Sequence, residues 1–556
     1  MTREESFMPE EPTPTPKELQ GNVPQFPPIG PKGEDANPAI RLFGRRFLKE
    51  QTEIEYLIEF LLLFTSRKTI GKDIEMGGAE NDPWQGFPTA DQLAAWPEKT
   101  PLSYYPKHRL PLKLFAFLSN SNLESRHKCH REKHEELVTE LRRRTGDAIK
   151  ASKDEALSIV EKVLVGFIGF GGDRTWCTHS FLPLAPQLIC GETIWKKTTG
   201  LRNPELSWDD AWEKGFFAFS SHDFFCRGGE VLYLQLCNLF RKAAADDPEI
   251  LAFEESMGHP PGTARGLRGR VENGLKGILE NNPAPELDQL ADWVQQGGEK
   301  VLTPEQKRKR NAQTGWCPEE SWPEAYLFAY EMANICEAML DPIEKIEMLK
   351  LCCIFQVLRT LSAQAARYWP AAPNGNRGME GYAWIVSDPA ADDMALKEIA
   401  RWNLVRVQEM IHDAIRTRPS QKTKGGQTYK KGDEQATDLF VKLAKKIGFI
   451  VPYKGPHARF VLDENLTRYF VLALLPPGRR VTLRTFQRLL FRHYRAAFDG
   501  APMVEAVQWT HAKSGTGTHS ASGKWIEELL RATGFLIPLS DAVSLIRNPF
   551  CHLKSA

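Results

Sequence analysis

Six arginines fall between Gly478 and Phe498, at positions 479, 480, 484, 488, 492 and 495, and no Asp or Glu lies between Glu464 and Asp499. A guanidinium is permanently charged and presents forked donors that match a phosphate. On a helix from Thr482 to Phe498, Arg484, Arg488, Arg492 and Arg495 lie within about 80° of one another at 100° per residue. Leu483, Phe486, Leu490, Tyr494 and Ala497 then make the opposite face. Like charges four residues apart repel by roughly 0.2–0.5 kcal/mol per pair, so an anion is the natural counterpart of such a ridge. Arg479, Arg480, Arg484, Arg488, Arg492 and Arg495 are the candidate contacts to nucleic-acid phosphates. Lys513, with His511, adds to them from a loop expected at 499–521, and Arg468 extends the ridge from the preceding helix. Two other readings stay open: a solvated face, or a ridge docked on acidic surface of the same chain.

Other polar groups fall short of a complete site. His222 and Asp223 are adjacent, a pairing that can hold a metal for phosphohydrolysis, but that chemistry needs further ligands from other elements. Glu230 joins them as a catalytic candidate, although at the start of a helix near Gly229 it also suits the positive end of the helix dipole. His127, His130 and His134 recur at i, i+3 and i+7, a candidate metal set, yet the outer two are about 10 Å apart along a helix. "GFIGFGGDRTWC" (166–177) fits neither glycine pattern for cradling phosphates. No cofactor is expected.

The elements that must position these residues are mainly helical. Apolar residues recur at helical spacing from about Phe47, with Ile54, Leu57, Ile58, Leu61 and Leu62 on one face. Further helices are expected at 122–145, 154–166, 207–219, 229–244, 264–282, 286–297, 322–340 and 343–368. Asp341-Pro342 sits at the turn of an expected helical hairpin. Residues 70–108 read as an irregular layer, and almost no alternating strand pattern precedes residue 440. The expected division is a Pro-rich arm (1–40, nine prolines), an acidic helical domain (41–300) and a helical-hairpin domain (318–416). A polar interruption (298–320) marks the boundary between the last two, its Lys307–Arg310 run reading as an exposed turn or a helix end. A basic linker (417–434) then leads to a basic C-terminal region (435–556).

That region repeats itself. "LAKKIGFIVPYKG" (443–455) and "LLRATGFLIPLSD" (529–541) each run from a helix end through Gly and Phe to a short apolar stretch closed by Pro. Second strands follow at "ARFVLD" and "AVSLIR". A helix running into a two-stranded ribbon suggests winged-helix-like units, in tandem if the first copy is complete. In the second copy, helices at 464–475, 482–498 and 523–533 would precede a wing at 535–547. The would-be recognition helix carries Glu527 and Glu528, which points to backbone contact rather than base reading.

Charge follows the same division. The chain's formal net charge is +1, but residues 401–556 hold 25 Lys and Arg against 12 Asp and Glu, leaving the preceding 400 residues net acidic. Such asymmetry points to a polyanionic partner for the basic end. The ten cysteines form no C-x-x-C pair and no regular framework, the pattern of reduced thiols in a cytoplasmic protein. No apolar run is long enough to span a bilayer.

The strings "RTWCTHSFLPLAP", "FFCRGGEVLYLQL", "LCCIFQVLRTLSAQAARYW" and "SDAVSLIRNPF" resemble uncharacterised bacterial proteins encoded in phage-defence islands. The resemblance implies a subunit of a multi-gene defence system beside a helicase, ATPase or nuclease. The leading expectation is a non-enzymatic nucleic-acid-binding or adaptor subunit that holds DNA by its backbone. The alternatives are a metal-dependent nuclease or phosphohydrolase using His222 and Asp223, and a protein scaffold that binds no nucleic acid.

Overall fold

Two helices that are apolar on nearly every side form the centre, and a helix of that kind can only be stable when other elements surround it. A computed structural model describes residues 37–44, 47, 51–71, 74–78, 84–97, 100–106, 128–145, 194–195, 203, 205–213, 217–218, 228–280, 289, 292–293, 296–297, 312–371, 378–390, 394–417, 427–510, 524–539 and 544–551. The architecture is mainly helical with small sheets. The main helices are α1 (Glu53–Thr65), α2 (Gly228–Ala244), α3 (Thr263–Glu280), α4 (Trp322–Glu337), α5 (Pro342–Tyr368) and α6 (Met394–Arg416). They are followed by α7 (Thr437–Lys446), α8 (Glu464–Leu474), α9 (Leu483–Tyr494), α10 (Gly500–Thr510) and α11 (Lys524–Ala532).

The hairpin expected at Asp341-Pro342 is α4 and α5. Asp341 caps α5 by accepting a hydrogen bond from the Ile343 N–H at 2.9 Å, and Pro342 occupies the first turn, where a missing N–H costs nothing. Glu324 to Cys336 and Leu351 to Ala366 are buried without a break. α1 begins at Glu53, later than the apolar spacing suggested, because the Glu55 carboxylate accepts from the Thr52 N–H and closes a capping box there. α1 packs closely on α2, where a Cβ on Gly228 would collide with the Tyr56 ring and one on Gly229 with the Tyr56 backbone.

The strands before residue 440 were hidden from periodicity. Arg67–Ile70 (β1), Ile74–Met76 (β2), Leu102–Tyr105 (β3) and Ala312–Gln313 (β4) form a sheet in the order β2-β1-β3-β4. One inward position of β1 is Lys68, which is fully buried and donates to the Leu63 and Ser66 carbonyls at 2.8 and 2.7 Å near the end of α1. A lysine in a core position breaks the alternation that marks a strand. Thr314, Gly315, Cys317 and Pro318 are buried, so the end of the polar interruption 298–320 is core, while the Lys307–Arg310 run lies outside the described residues. The helix expected over 207–219 stops at Glu213, and Phe217–Ala218 pairs instead with Ile194–Trp195. Gln427–Glu434, expected as linker, is helical and anchored by the Arg416–Asp433 ion pair at 2.8 Å.

The two Gly-Phe repeats share one local structure. Gly448 and Gly534 both have φ of +78°, ending α7 and α11 in the left-handed conformation. Phe449 N–H bonds to Ala444 O at 2.8 Å, and Phe535 N–H to Leu530 O at 2.9 Å, the six-to-one bond of a Schellman cap. Each repeat continues into an antiparallel ribbon. In the first, Ile450–Val451 (β6) pairs with Arg459–Val461 (β7); in the second, Leu536–Pro538 (β10) pairs with Ser544–Arg547 (β11).

The third strands differ. β7 runs parallel to Trp384–Ser387 (β5), whose other neighbour is Ala496–Ala497 (β9). β11 runs antiparallel to Arg480–Thr482 (β8), giving a sheet in the order β8-β11-β10. One cluster of buried apolar residues runs from Ala39 to Ile546, and Leu137, Trp208 and Trp212 are buried outside it. Among the described residues no helix is long and apolar enough to cross a membrane, and Cys129, Cys237, Cys317, Cys336, Cys352 and Cys353 are buried free thiols.

Candidate nucleic-acid interface

α9 separates its residues sharply into two faces. Thr482 starts the helix by accepting the Thr485 N–H at 3.2 Å. Phe486, Leu490 and Tyr494 are buried on the inner side, where the Tyr494 hydroxyl lies 2.8 Å from that of Tyr469 in α8. Arg484, Arg488 and Arg492 are exposed on the outer side, and Arg479 and Arg480 are exposed just before the helix. Among the described residues, no carboxylate lies within 4 Å of Arg479, Arg480, Arg484 or Arg488. Among the described residues Arg488 makes only a 3.4 Å contact to the Thr485 hydroxyl, and Arg492 donates to Met257 O at 3.3 Å.

Arg495 and Arg468 leave the ridge. The helix ends at Tyr494, and Arg495 adopts φ of +57°, which turns its side chain off the helical wheel. Its guanidinium lies 3.9 Å over the Phe491 ring, pairs with Glu505 and donates to Tyr382 O at 3.2 Å. Glu505 belongs to α10, which occupies much of the stretch read as a loop. Arg468 pairs with Glu344 and lies 4.9 Å over the Phe550 ring.

Arg547 takes their place. Antiparallel pairing sets Arg480 directly opposite Arg547, with Val481 and Ile546 buried at the next pair. Directly opposed residues share a sheet face, and like charges there are destabilising. Arg547 has no carboxylate within 4 Å among the described residues, and its Nε is buried without a hydrogen-bond partner. The ridge therefore continues onto the outer face of the β8-β11-β10 sheet. Sequence spacing could not place Arg547 there, because it lies 67 residues from Arg480 and only the ribbon's register brings them together.

A buried polar network fixes the inner side of α9. The Glu331 carboxylate receives Arg359 Nη2 at 2.5 Å and lies 2.8 Å from His493 Nδ1, and all three side chains are fully buried. The Arg359 guanidinium also lies 4.6 Å over the Tyr494 ring. Burial lowers the His493 pKa despite the bond to Glu331, so the imidazole is neutral at neutral pH. Glu331 in "LFAYEMANIC" and Arg359 in "CCIFQVLRTL" are charges inside apolar helices, a signal that could have marked the pair.

The remaining candidates fare unequally. Glu230 is in the first turn of α2, where its carboxylate accepts from the Tyr104 hydroxyl at 2.5 Å and the Gly315 N–H at 3.2 Å. Those bonds hold it in the packing between α2 and β3. His222, Asp223, His127 and Lys513 lie outside the described residues, and His130 and His134 fall on the helix Lys128–Thr145. Among the described residues no group of three or more His, Cys, Asp or Glu side chains is gathered as a metal site. No family model, curated protein or solved structure matches the chain.

Proposed function

We propose that this protein binds nucleic acid through the phosphate backbone, using Arg479, Arg480, Arg484, Arg488 and Arg492. The observation that carries the reading is the exposed arginine row without neutralising carboxylates, set on a helix whose other face is locked into the core. Without an anion the row is a net cost to the fold. The order α8, β8, α9, α11, β10, β11, with the first strand beside the last, supports a winged-helix reading of this region, with β9 and α10 inserted. Glu527 and Glu528 on α11 would repel phosphates, so the surface that meets nucleic acid is α9 with β8 and β11 rather than α11. Sequence preference is accordingly weak.

In keeping with the resemblance to defence-island proteins, the helical body serves as the docking partner of a helicase or ATPase subunit. The test of nucleic-acid binding is its salt dependence. Each phosphate contact contributes about 0.9 to the slope of log K against log salt on duplex DNA. Replacing Arg484 and Arg488 together by Ala should lower that slope by about two, measured by fluorescence anisotropy. An unchanged slope would overturn the reading.

A further inference from the structure

The arginine row does not end in open solvent. At the end of α9, Arg492 reaches the loop of the body that joins the helix Pro248–Met257 to α3, donating to Met257 O, with Nη1 3.5 Å from where a Cβ on Gly258 would stand. The next residue, His259, is half-buried. Its ring stacks on Tyr330 at 4.4 Å and 15°, and its Nδ1 lies 2.7 Å from the Tyr326 hydroxyl. With that hydroxyl donating to Nδ1, the proton sits on Nε2, which has no acceptor among the described residues.

The loop is rigid. The fully buried Glu254 carboxylate accepts from the Gly262 and Ala264 N–H groups at 2.7 and 2.6 Å, and His259 N–H bonds to Glu254 O at 2.9 Å. Those bonds also occupy the start of α3, so the donor on offer is the imidazole.

Positive charge gathers around this imidazole. Burial, then His493, and after it Arg479, Arg492 and Arg270, push its pKa down to about 4. Arg270 is held bidentately by Glu337 at 2.6 and 2.7 Å and lies 5.8 Å from the Tyr330 ring centre. Arg479 and Arg492 have no carboxylate within 4 Å among the described residues. Glu331, underneath, is shared by Arg359 and His493 and has nothing left to offer the surface. A neutral N–H donor beside the uncompensated Arg492 guanidinium is suited to one oxyanion.

We propose that one phosphate group of the bound strand sits where α9 meets the helical body, held by Arg492 and the His259 Nε2–H. The body and the C-terminal region then grip the strand jointly. The inference rests on the nucleic-acid reading for its ligand, while the subsite itself is chemistry for any phosphate.

The test uses the full chain with labelled histidine side chains, titrated first with inorganic phosphate and then with a duplex oligonucleotide, the His259 signal being assigned by His259→Gln. The expected result is a saturable shift of that signal with both. In parallel, His259→Ala should weaken oligonucleotide binding about 10-fold, the scale of a hydrogen bond to a charged group. It should leave the salt slope unchanged, because the lost donor is neutral. Arg492→Ala should lower the slope by about one. A silent His259 signal in both titrations, or unaltered affinity in His259→Ala, overturns the subsite. If DNA still binds with a slope that depends on Arg484 and Arg488, the function stands without it. A shift with phosphate in a chain that binds no DNA keeps the phosphate subsite and overturns the nucleic-acid reading.

Discussion

The two Gly-Phe repeats use the same helix cap and the same ribbon for different ends. In the first, Phe449 lies between Phe355, Trp384 and Phe460, with ring centres 5.2, 5.4 and 5.0 Å away, and the ribbon adds to the buried strand β5. In the second, the ribbon pairs with β8 at the surface and presents Arg547 beside Arg480. A short sequence motif thus dictates its own hydrogen bonds, whereas the neighbouring third strand decides whether the unit becomes core or surface.

The strongest perturbation should come from the network that ties α9, beside the second unit, to the body. Glu331→Ala leaves Arg359 buried without its partner, and breaking a buried pair in this way costs about 3–5 kcal/mol. Urea unfolding should show that loss, and Arg359→Met in the same chain should recover part of it. A smaller contrast should separate the phenylalanines. Phe449→Ala opens a cavity inside an aromatic cluster and should cost about 3–5 kcal/mol. Phe535→Ala, whose ring meets Arg468 and no other aromatic ring among the described residues, should fall at or below the lower end of that range. Equal losses would mean that the two ribbons are buried alike.

The caps allow a finer comparison. Alanine in a left-handed position costs roughly 1–2 kcal/mol. Gly448→Ala should cost more than Gly534→Ala, because a Cβ at 448 would lie 3.2 Å from Asp463 Oδ2 and one at 534 meets nothing within 4 Å. The smallest effect concerns binding alone. Arg459→Ala, in the first ribbon, should leave the salt slope of DNA binding unchanged, while Arg547→Ala in the second should lower it by up to one.

How far the sequence could be read depends on the range of the forces involved. The caps at Gly448 and Gly534, the Asp341-Pro342 turn and the two-faced character of α9 come from interactions within a few residues, and all were legible. β1 was not, because its inward Lys68 is satisfied by carbonyls near the end of α1. The ridge was legible up to Arg492. Arg495 falls off the ridge because the helix ends at Tyr494 and Arg495 itself is left-handed, and its partner Glu505 lies on α10, within the stretch 499–521 whose sequence suggests a loop. Arg547 and His259 join the surface through strand register and the packing of the body, which no local pattern encodes.

Strand β5 comes before the stretch between Thr417 and Gln427, and both of its neighbours, β7 and β9, come after it. The parts of the chain on either side of that stretch therefore complete one another's sheet, as two interlocked subunits would. Contacts between these two unequal parts, rather than the peptide link, hold that sheet together. A chain cleaved between Thr417 and Gln427 should migrate as one particle until denatured, and the two fragments expressed separately should fold only when mixed.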